Sequence, residues 1–198
     1  LNELGAARSD ARRHFFMNAT LRPAAAADLA QITAIYAHHV LHGLASFEIE
    51  PPDETEMRRR FDAIAAGDFP YFVAAADGRV LGYAYASHYR TRPGYRYSVE
   101  DSVYVAPDAV GRGIGKRLLR ALIEACEQRG YRQMLAVIGD SANAASIELH
   151  RACGFAQVGV LPSIGFKFGR WVDSVLMQRA LGDGDRTTPA GELHSYPS

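Results

Sequence analysis

Ser102-Val103-Tyr104-Val105-Ala106-Pro107 leads, two residues later, into Val110-Gly111-Arg112-Gly113-Ile114-Gly115-Lys116-Arg117. A β-branched and aromatic run ends at a proline. A glycine-rich turn then enters an amphipathic stretch, 113–129, whose Leu118, Leu119, Leu122 and Ile123 share one helical face and which Gly130 closes. The first amides of such a helix have no intrahelical acceptor. Glycines leave them uncovered, so this helix start is an anion site suited to a pyrophosphate. Arg112 and Lys116 add positive charge beside it. Two familiar phosphate motifs fail on the same residues. A P-loop needs Gly at 110 and Ser or Thr at 117, where Val110 and Arg117 stand; a dinucleotide fingerprint needs a third glycine at 116, where Lys116 stands.

Outward from this segment, helices and strands interleave. Upstream, 71–76 and 80–89 flank Asp77-Gly78, a strong hairpin signal, and 97–105 adds a third antiparallel strand. Before them lie an extended lead at 20–23 and two helices. Asp28 is the expected N-cap of the first, which carries Leu29, Ile32, Ile35, Tyr36 and Val40 at helical spacing; Asp53 is the expected cap of the second, with Met57, Phe61 and Ile64. Downstream, 133–138 reads as a strand, 144–153 as a helix stopped by Gly154, and 155–161 and 170–180 as strands. Hairpins demand antiparallel pairs within this alternation, so the expected class is α/β with a mixed sheet.

The chain has 198 residues, 48% apolar and 22% charged, which suits one packed domain. Lys plus Arg (22) balances Asp plus Glu (22), so no bulk positive field draws it to nucleic acid or an anionic membrane. No apolar run approaches the ~18 residues of a membrane span. Cys126 and Cys153 are too few for a disulfide framework or a four-ligand zinc site, which points to reduced thiols in the cytoplasm. His38 and His42 lie one helical turn apart, but the glutamate of a zinc-protease helix is missing, so no metal site is expected. Residues 1–16 carry Glu3 and Asp10, unlike acid-poor targeting segments, and are expected to be an N-terminal extension before Met17. The domain is expected over 17–181, with 182–198 a polar tail.

Val110-x-x-Gly113-x-Gly115 resembles the acyl-CoA signature of the GNAT superfamily of N-acetyltransferases, Gln/Arg-x-x-Gly-x-Gly/Ala, with Val110 departing at the first position. Asn143-Ala144-Ala145-Ser146 and Leu149-His150-Arg151-Ala152-Cys153-Gly154-Phe155 resemble the family's next motif. Val99-Glu100-Asp101-Ser102-Val103-Tyr104-Val105 and Phe166-Lys167-Phe168-Gly169-Arg170-Trp171-Val172-Asp173 are similar to its phosphinothricin and methionine sulfoximine acetyltransferase branch. The four motifs occur in the family's order across 21–181.

The resemblance implies a GNAT fold, a central splayed mixed sheet of about seven strands flanked by about four helices. It implies acetyl-CoA as co-substrate, its pantetheine arm paired with the backbone of Val103, Tyr104 and Val105 and its pyrophosphate on Gly111, Arg112, Gly113, Ile114, Gly115 and Lys116. Asn143 is expected either to bind the pantetheine amide or to cap its helix. The implied reaction is direct attack of a primary amine on the thioester, needing a base, oxyanion donors and an acid for the thiolate. Glu100 is the expected base, an amide near Tyr104 the oxyanion donor, and His150, where many relatives carry Tyr, the acid or a packing histidine. The acceptor is expected against Arg90, Thr91, Arg92, Glu100, Asp101 and Ser102, with Arg96 nearby; guanidinium groups there suit a carboxylate or phosphinate. Lys167 and Trp171 are expected to shape the pocket or a dimer contact, in a homodimer. The expected activity is therefore N-acetylation of a small amino-acid-like substrate. The competing readings are acetylation of peptide N-termini or polyamines, and a catalytically idle acyl-CoA-binding module.

Overall fold

The computed structural model describes residues 19–189. Its order is β1 (Thr20–Pro23), α1 (Leu29–His42), α2 (Glu54–Ala66), β2 (Tyr71–Ala76), β3 (Arg79–His88), β4 (Ser98–Val105), α3 (Ile114–Gln128), β5 (Gln133–Gly139), α4 (Ala144–Arg151), β6 (Ala156–Lys167) and β7 (Arg170–Ala180). The strands form one sheet in the order β1-β2-β3-β4-β5-β7-β6. Every neighbouring pair is antiparallel except β4–β5. Among the described residues no helix is long and apolar enough to cross a membrane.

Local signals explain most boundaries. Asp77 and Gly78 both have positive φ (47° and 76°), the requirement of the tight turn that joins β2 to β3. The Asp53 carboxylate caps α2 by accepting from the Glu56 amide at 2.8 Å. Asp28 does not do the same for α1. It ends a short 3-10 turn, and its buried carboxylate takes two 2.7 Å bonds from Arg22 and one of 2.8 Å from the Ala25 amide. That ion pair holds the Asp28 carboxyl below its ordinary pKa and ties β1 to the start of α1. Leu118, Leu119 and Leu122 of α3 are fully buried against β2, β3 and β4. Gly82 permits the approach: a Cβ there would lie 2.8 Å from the Tyr104 carbonyl and 3.2 Å from Ile114 and Leu118. Cys126 and Cys153 are both free and buried, and burial pushes the Cys126 thiol up to about 12.

β6 runs on to Lys167, six residues past the expected end at 161, with irregular register between Leu161 and Gly165. Pro162 and Gly165 look like breakers, but β6 is an edge strand, where a missing amide leaves no ladder bond unmade. The tail also departs from expectation at its start. Arg132 donates to the Gly184 carbonyl and the Thr187 hydroxyl, so 182–189 fold back onto β5; 1–16 and the end of the tail lie outside the described residues.

A splay between β4 and β5 positions the site. β4 and β5 pair only where Ser98, Val99 and Glu100 meet Gln133, Met134 and Leu135. Beyond that the two strands diverge, and 101–105 faces 136–139 across an open wedge while β5 stays fully paired with β7.

Candidate active site

The wide end of the wedge opens into a cavity of about 790 Å³, bounded by β4, the starts of α3 and α4, and the end of α1. Val103, Tyr104, Val105, Gly111, Gly113, Ile114, Gly115, Lys116 and Asn143 all line it. Arg112 is exposed beside it rather than in its wall. Gly111 and Gly113 adopt φ of 76° and 77°, and a Cβ on either would meet nothing within 4 Å. What these glycines supply is backbone conformation, not clearance. The first helical bond of α3 runs from the Arg117 amide to the Gly113 carbonyl, so the amides of Ile114, Gly115 and Lys116 lack intrahelical acceptors. Val110 is 58% exposed, which explains why a non-standard residue is tolerated there.

The β4 ladder fixes which backbone groups face the wedge. The Ala106 amide donates to the Leu81 carbonyl, and the register pairs Tyr83 with Tyr104 and Tyr85 with Ser102. Antiparallel alternation then turns the backbone of Glu100, Ser102 and Tyr104 toward β3, and that of Asp101, Val103 and Val105 toward the wedge. The expectation that Tyr104 offers its backbone is corrected accordingly. Tyr104 contributes its ring, packed edge-on to Tyr36 at 5.1 Å, with Tyr83 stacked beside it at 5.3 Å. The Val105 carbonyl already has a partner, His39 Nε2 at 2.9 Å. His39 lines the cavity, and burial lowers its pKa below the ordinary imidazole value.

The narrow end is a pocket of about 240 Å³. It shares Ala45, Val103, Tyr104, Gly139, Asn143 and Ser146 with the larger cavity, so the two meet in the wedge. Glu100, Asp101, Ser102 and His150 complete its reactive wall. Burial, reinforced by the neighbouring Asp101 charge and partly offset by Arg90, pushes the Glu100 carboxyl up to about 7. A carboxylate poised at neutral pH suits proton abstraction.

Asp101 points to the opposite face and is only 7% exposed. His150 Nε2 lies 3.0 Å from Asp101 Oδ2, and Nδ1 lies 2.7 Å from the Ser146 carbonyl. A carbonyl and a carboxylate both accept, so this is the arrangement that favours a proton on each ring nitrogen. Burial disfavours that charge, but the Asp101 hydrogen bond and charge and the Ser146 carbonyl outweigh it and raise the His150 pKa. Asn143 is seen as a cap: its side-chain oxygen accepts from the Ser146 amide at 3.2 Å at the start of α4.

The arginine loop is not part of the pocket wall. Arg90 lies over the Tyr89 ring at 5.1 Å and Arg96 over the Tyr97 ring at 4.8 Å. Arg90, Thr91 and Arg92 are exposed and do not line the pocket, although Arg90's charge reaches Glu100.

Residues 33–155 match the model of the acetyltransferase (GNAT) family. The chain belongs to that family. Over 162 residues it is 60% identical to a phosphinothricin N-acetyltransferase of Alcaligenes faecalis, spanning 82% of each chain. It is 45% identical to an L-methionine sulfoximine/L-methionine sulfone acetyltransferase of Pseudomonas paraeruginosa, over 87% of this chain and all of that one. Among solved structures, a phosphinothricin acetyltransferase from Sinorhizobium meliloti in complex with AcCoA superposes with a TM-score of 0.88 at 50% identity, over 92% of this chain and 100% of that chain. The protein is thus a GNAT N-acetyltransferase, and the seven-stranded sheet splayed at β4–β5 is the GNAT fold.

Within this GNAT site several wall residues were not named as binding residues from the sequence, although His39 and His42 lie on a histidine-bearing helix face and Phe168 and Arg170 in a branch-like motif. His39 and His42 from the end of α1, Gly43, Leu44 and Ala45 after it, and Phe168 and Arg170 from the β6–β7 turn all line the larger cavity. Arg170 is anchored there by Asp140 at 2.9 Å. Each reaches the cavity through long-range packing.

Proposed function

We propose that this enzyme transfers the acetyl group of acetyl-CoA to the primary amine of a small amino-acid-like substrate of the phosphinothricin or methionine sulfoximine type. The observation that carries this reading is the junction of the two cavities in the β4–β5 wedge. The uncovered amides and left-handed glycines at the start of α3 fit a pyrophosphate, and the wedge-facing backbone of Val103 and Val105 fits the amides of a pantetheine arm. A thioester held there ends beside Glu100, at the mouth of the smaller pocket.

Glu100 takes a proton from the acceptor ammonium, directly or through one water. The amine nitrogen attacks the thioester carbonyl carbon, wedge-facing amides of β4 receive the developing oxyanion, and the adduct nitrogen releases its second proton to solvent as the C–S bond breaks, leaving the neutral amide and the thiolate. His150 is the acid that protonates the thiolate. It holds the proton, but giving it up breaks a bond to Asp101 or Ser146, so its contribution is smaller than that of Glu100. Arg90 and Arg92 meet the acceptor's carboxylate or phosphinate from the loop above the pocket, with Thr91 between them. The exposed apolar residues Val158, Val160, Ile164, Phe166 and Trp171 of the β6 edge and its hairpin suit a second copy of the chain. We read the enzyme as a homodimer of the cytoplasm, where its two free thiols stay reduced.

A thiol-release assay with acetyl-CoA tests the substrate class. Phosphinothricin, methionine sulfoximine and methionine sulfone should be turned over far faster than polyamines or peptides beginning with alanine. Faster turnover of the peptides or polyamines would overturn the reading.

A further inference from the structure

The segment 43–48, between α1 and α2, crosses the wedge as a strap. Gly43, Leu44 and Ala45 line the larger cavity, and Ala45, Ser46 and Phe47 line the smaller one, so one short segment is the wall common to both. Its position is built in from three sides. Gly139 of β5 has no side chain because a Cβ would lie 2.0 Å from the Leu44 carbonyl oxygen, and Gly165 of β6 because a Cβ would lie 2.5 Å from the Phe47 ring. On the α1 side, the Tyr36 hydroxyl lies 2.9 Å from Ser46 Oγ and donates to Glu48 at 3.0 Å, and Arg60 donates to the same carboxylate at 2.7 Å.

The third side is Lys167, the last residue of β6. Lys167 is only 2% exposed, and its ammonium donates to the Gly43 carbonyl at 2.9 Å and the Ser46 carbonyl at 2.7 Å. Among the described residues it makes no ion pair. A buried charge is costly unless it is matched, and an apolar side chain would fill this volume without that cost. What an ammonium adds here is grip on two backbone carbonyls that bracket the strap. We propose that Lys167 is a positioning residue of the active site: it clasps the strap 43–48 from below and thereby sets the shape of the acceptor pocket and which acceptors fit. The inference rests on the acetyl-transfer reading for its kinetic consequence but not for the clasp itself.

The experiment compares the wild type with Lys167→Met, Gly165→Ala and the double variant. Losing two charge-assisted bonds should raise acceptor KM about ten- to a hundredfold and narrow the preference between small and bulky acceptors. Acetyl-CoA affinity should fall less than acceptor affinity, because the α3 start and β4 backbone are untouched although Gly43, Leu44 and Ala45 also line the larger cavity. Hydrogen exchange of the 43–48 amides should accelerate at least about tenfold, while the β5–β7 ladder stays protected. Gly165→Ala, which lifts Phe47 without touching the ammonium, should produce the same KM change, and the double variant should be no worse than the worse single one. Unchanged acceptor KM and unchanged strap exchange in a folded Lys167→Met protein would overturn the proposal, as would effects that simply add. If Lys167→Met does not fold, Gly165→Ala carries the test: acceptor KM and strap exchange both unaltered would again refute it. A wild type that turns over no amine defeats the functional reading instead, and strap exchange still decides the clasp.

Discussion

The two ends of the wedge are built from different materials. The wide end is backbone: left-handed glycines, unbonded amides at the start of α3, and the wedge-facing carbonyls and amides of β4. Val110, where the acyl-CoA signature that the segment resembles has Gln or Arg, is exposed there. The narrow end is side chains: Glu100 and Asp101 from β4, His150 from α4, Phe47 from the strap. Glu100 and His150 are titratable there, and burial and their neighbours raise both pKa values. A backbone site is encoded by a short local pattern, whereas a side-chain site is encoded by who packs against whom.

Four changes would break or sharpen this contrast. The largest effect belongs to Glu100→Gln. It should lower kcat/KM by roughly 10²–10⁴ with acetyl-CoA binding near normal, because the amide keeps size and polarity but takes no proton. In the wild type kcat/KM should climb as pH rises through about 7, where the Glu100 carboxyl ionises, and the variant should lack that limb. Equal rates for variant and wild type at neutral pH would remove Glu100 from the chemistry. His150→Gln should cost less than Glu100→Gln; the reverse order would make His150 the principal group.

Next is the Asp101–His150 pair. Asp101→Asn leaves a buried imidazolium without its counter-charge, and breaking such a pair costs about 3–5 kcal/mol. Chemical denaturation should show that loss, together with a lower His150 pKa by NMR titration. A stability within error of wild type would mean the pair contributes nothing.

Glu100 also links the pocket to stability, with a definite sign. Its folded pKa, about 7, lies above the ordinary 4.5. Between those values the folded state holds a proton that the unfolded chain has released, so this group's contribution falls as pH rises through that window. The deficit is on the order of 3 kcal/mol when complete. Glu100→Gln should therefore match the wild type near pH 4 and exceed its Tm near pH 8. A constant Tm difference across that range would show that burial does not shift this carboxyl.

At the wide end the expected effects are smaller. Gly113→Val places a β-branched residue at φ 77°. Left-handed backbone costs about 1–2 kcal/mol per non-glycine residue, so acetyl-CoA should bind roughly five- to thirtyfold more weakly while acceptor KM is unchanged. Isothermal titration measures this, and unaltered affinity would mean the turn does not set the anion site.

The sequence by itself determined the alternation of elements, the Asp77-Gly78 hairpin, the α3 face and its glycine-rich start, and the residues of β4 that border the wedge. Each is a signal within a few residues: a turn that needs positive φ, a helical spacing, an uncovered helix end. Only the tertiary structure decided the rest. The two-residue alternation of β4 is legible, but which half faces the wedge depends on its register with β3. Pro162 and Gly165 read as breakers until β6 is known to be the sheet edge. Asp28 has the composition of a cap and is used by Arg22 instead. Lys167 finds its partners at Gly43 and Ser46 across more than a hundred residues of chain. Local sequence fixes the conformation a backbone can adopt. The charge state and purpose of a side chain depend on neighbours that distant parts of the chain bring to it.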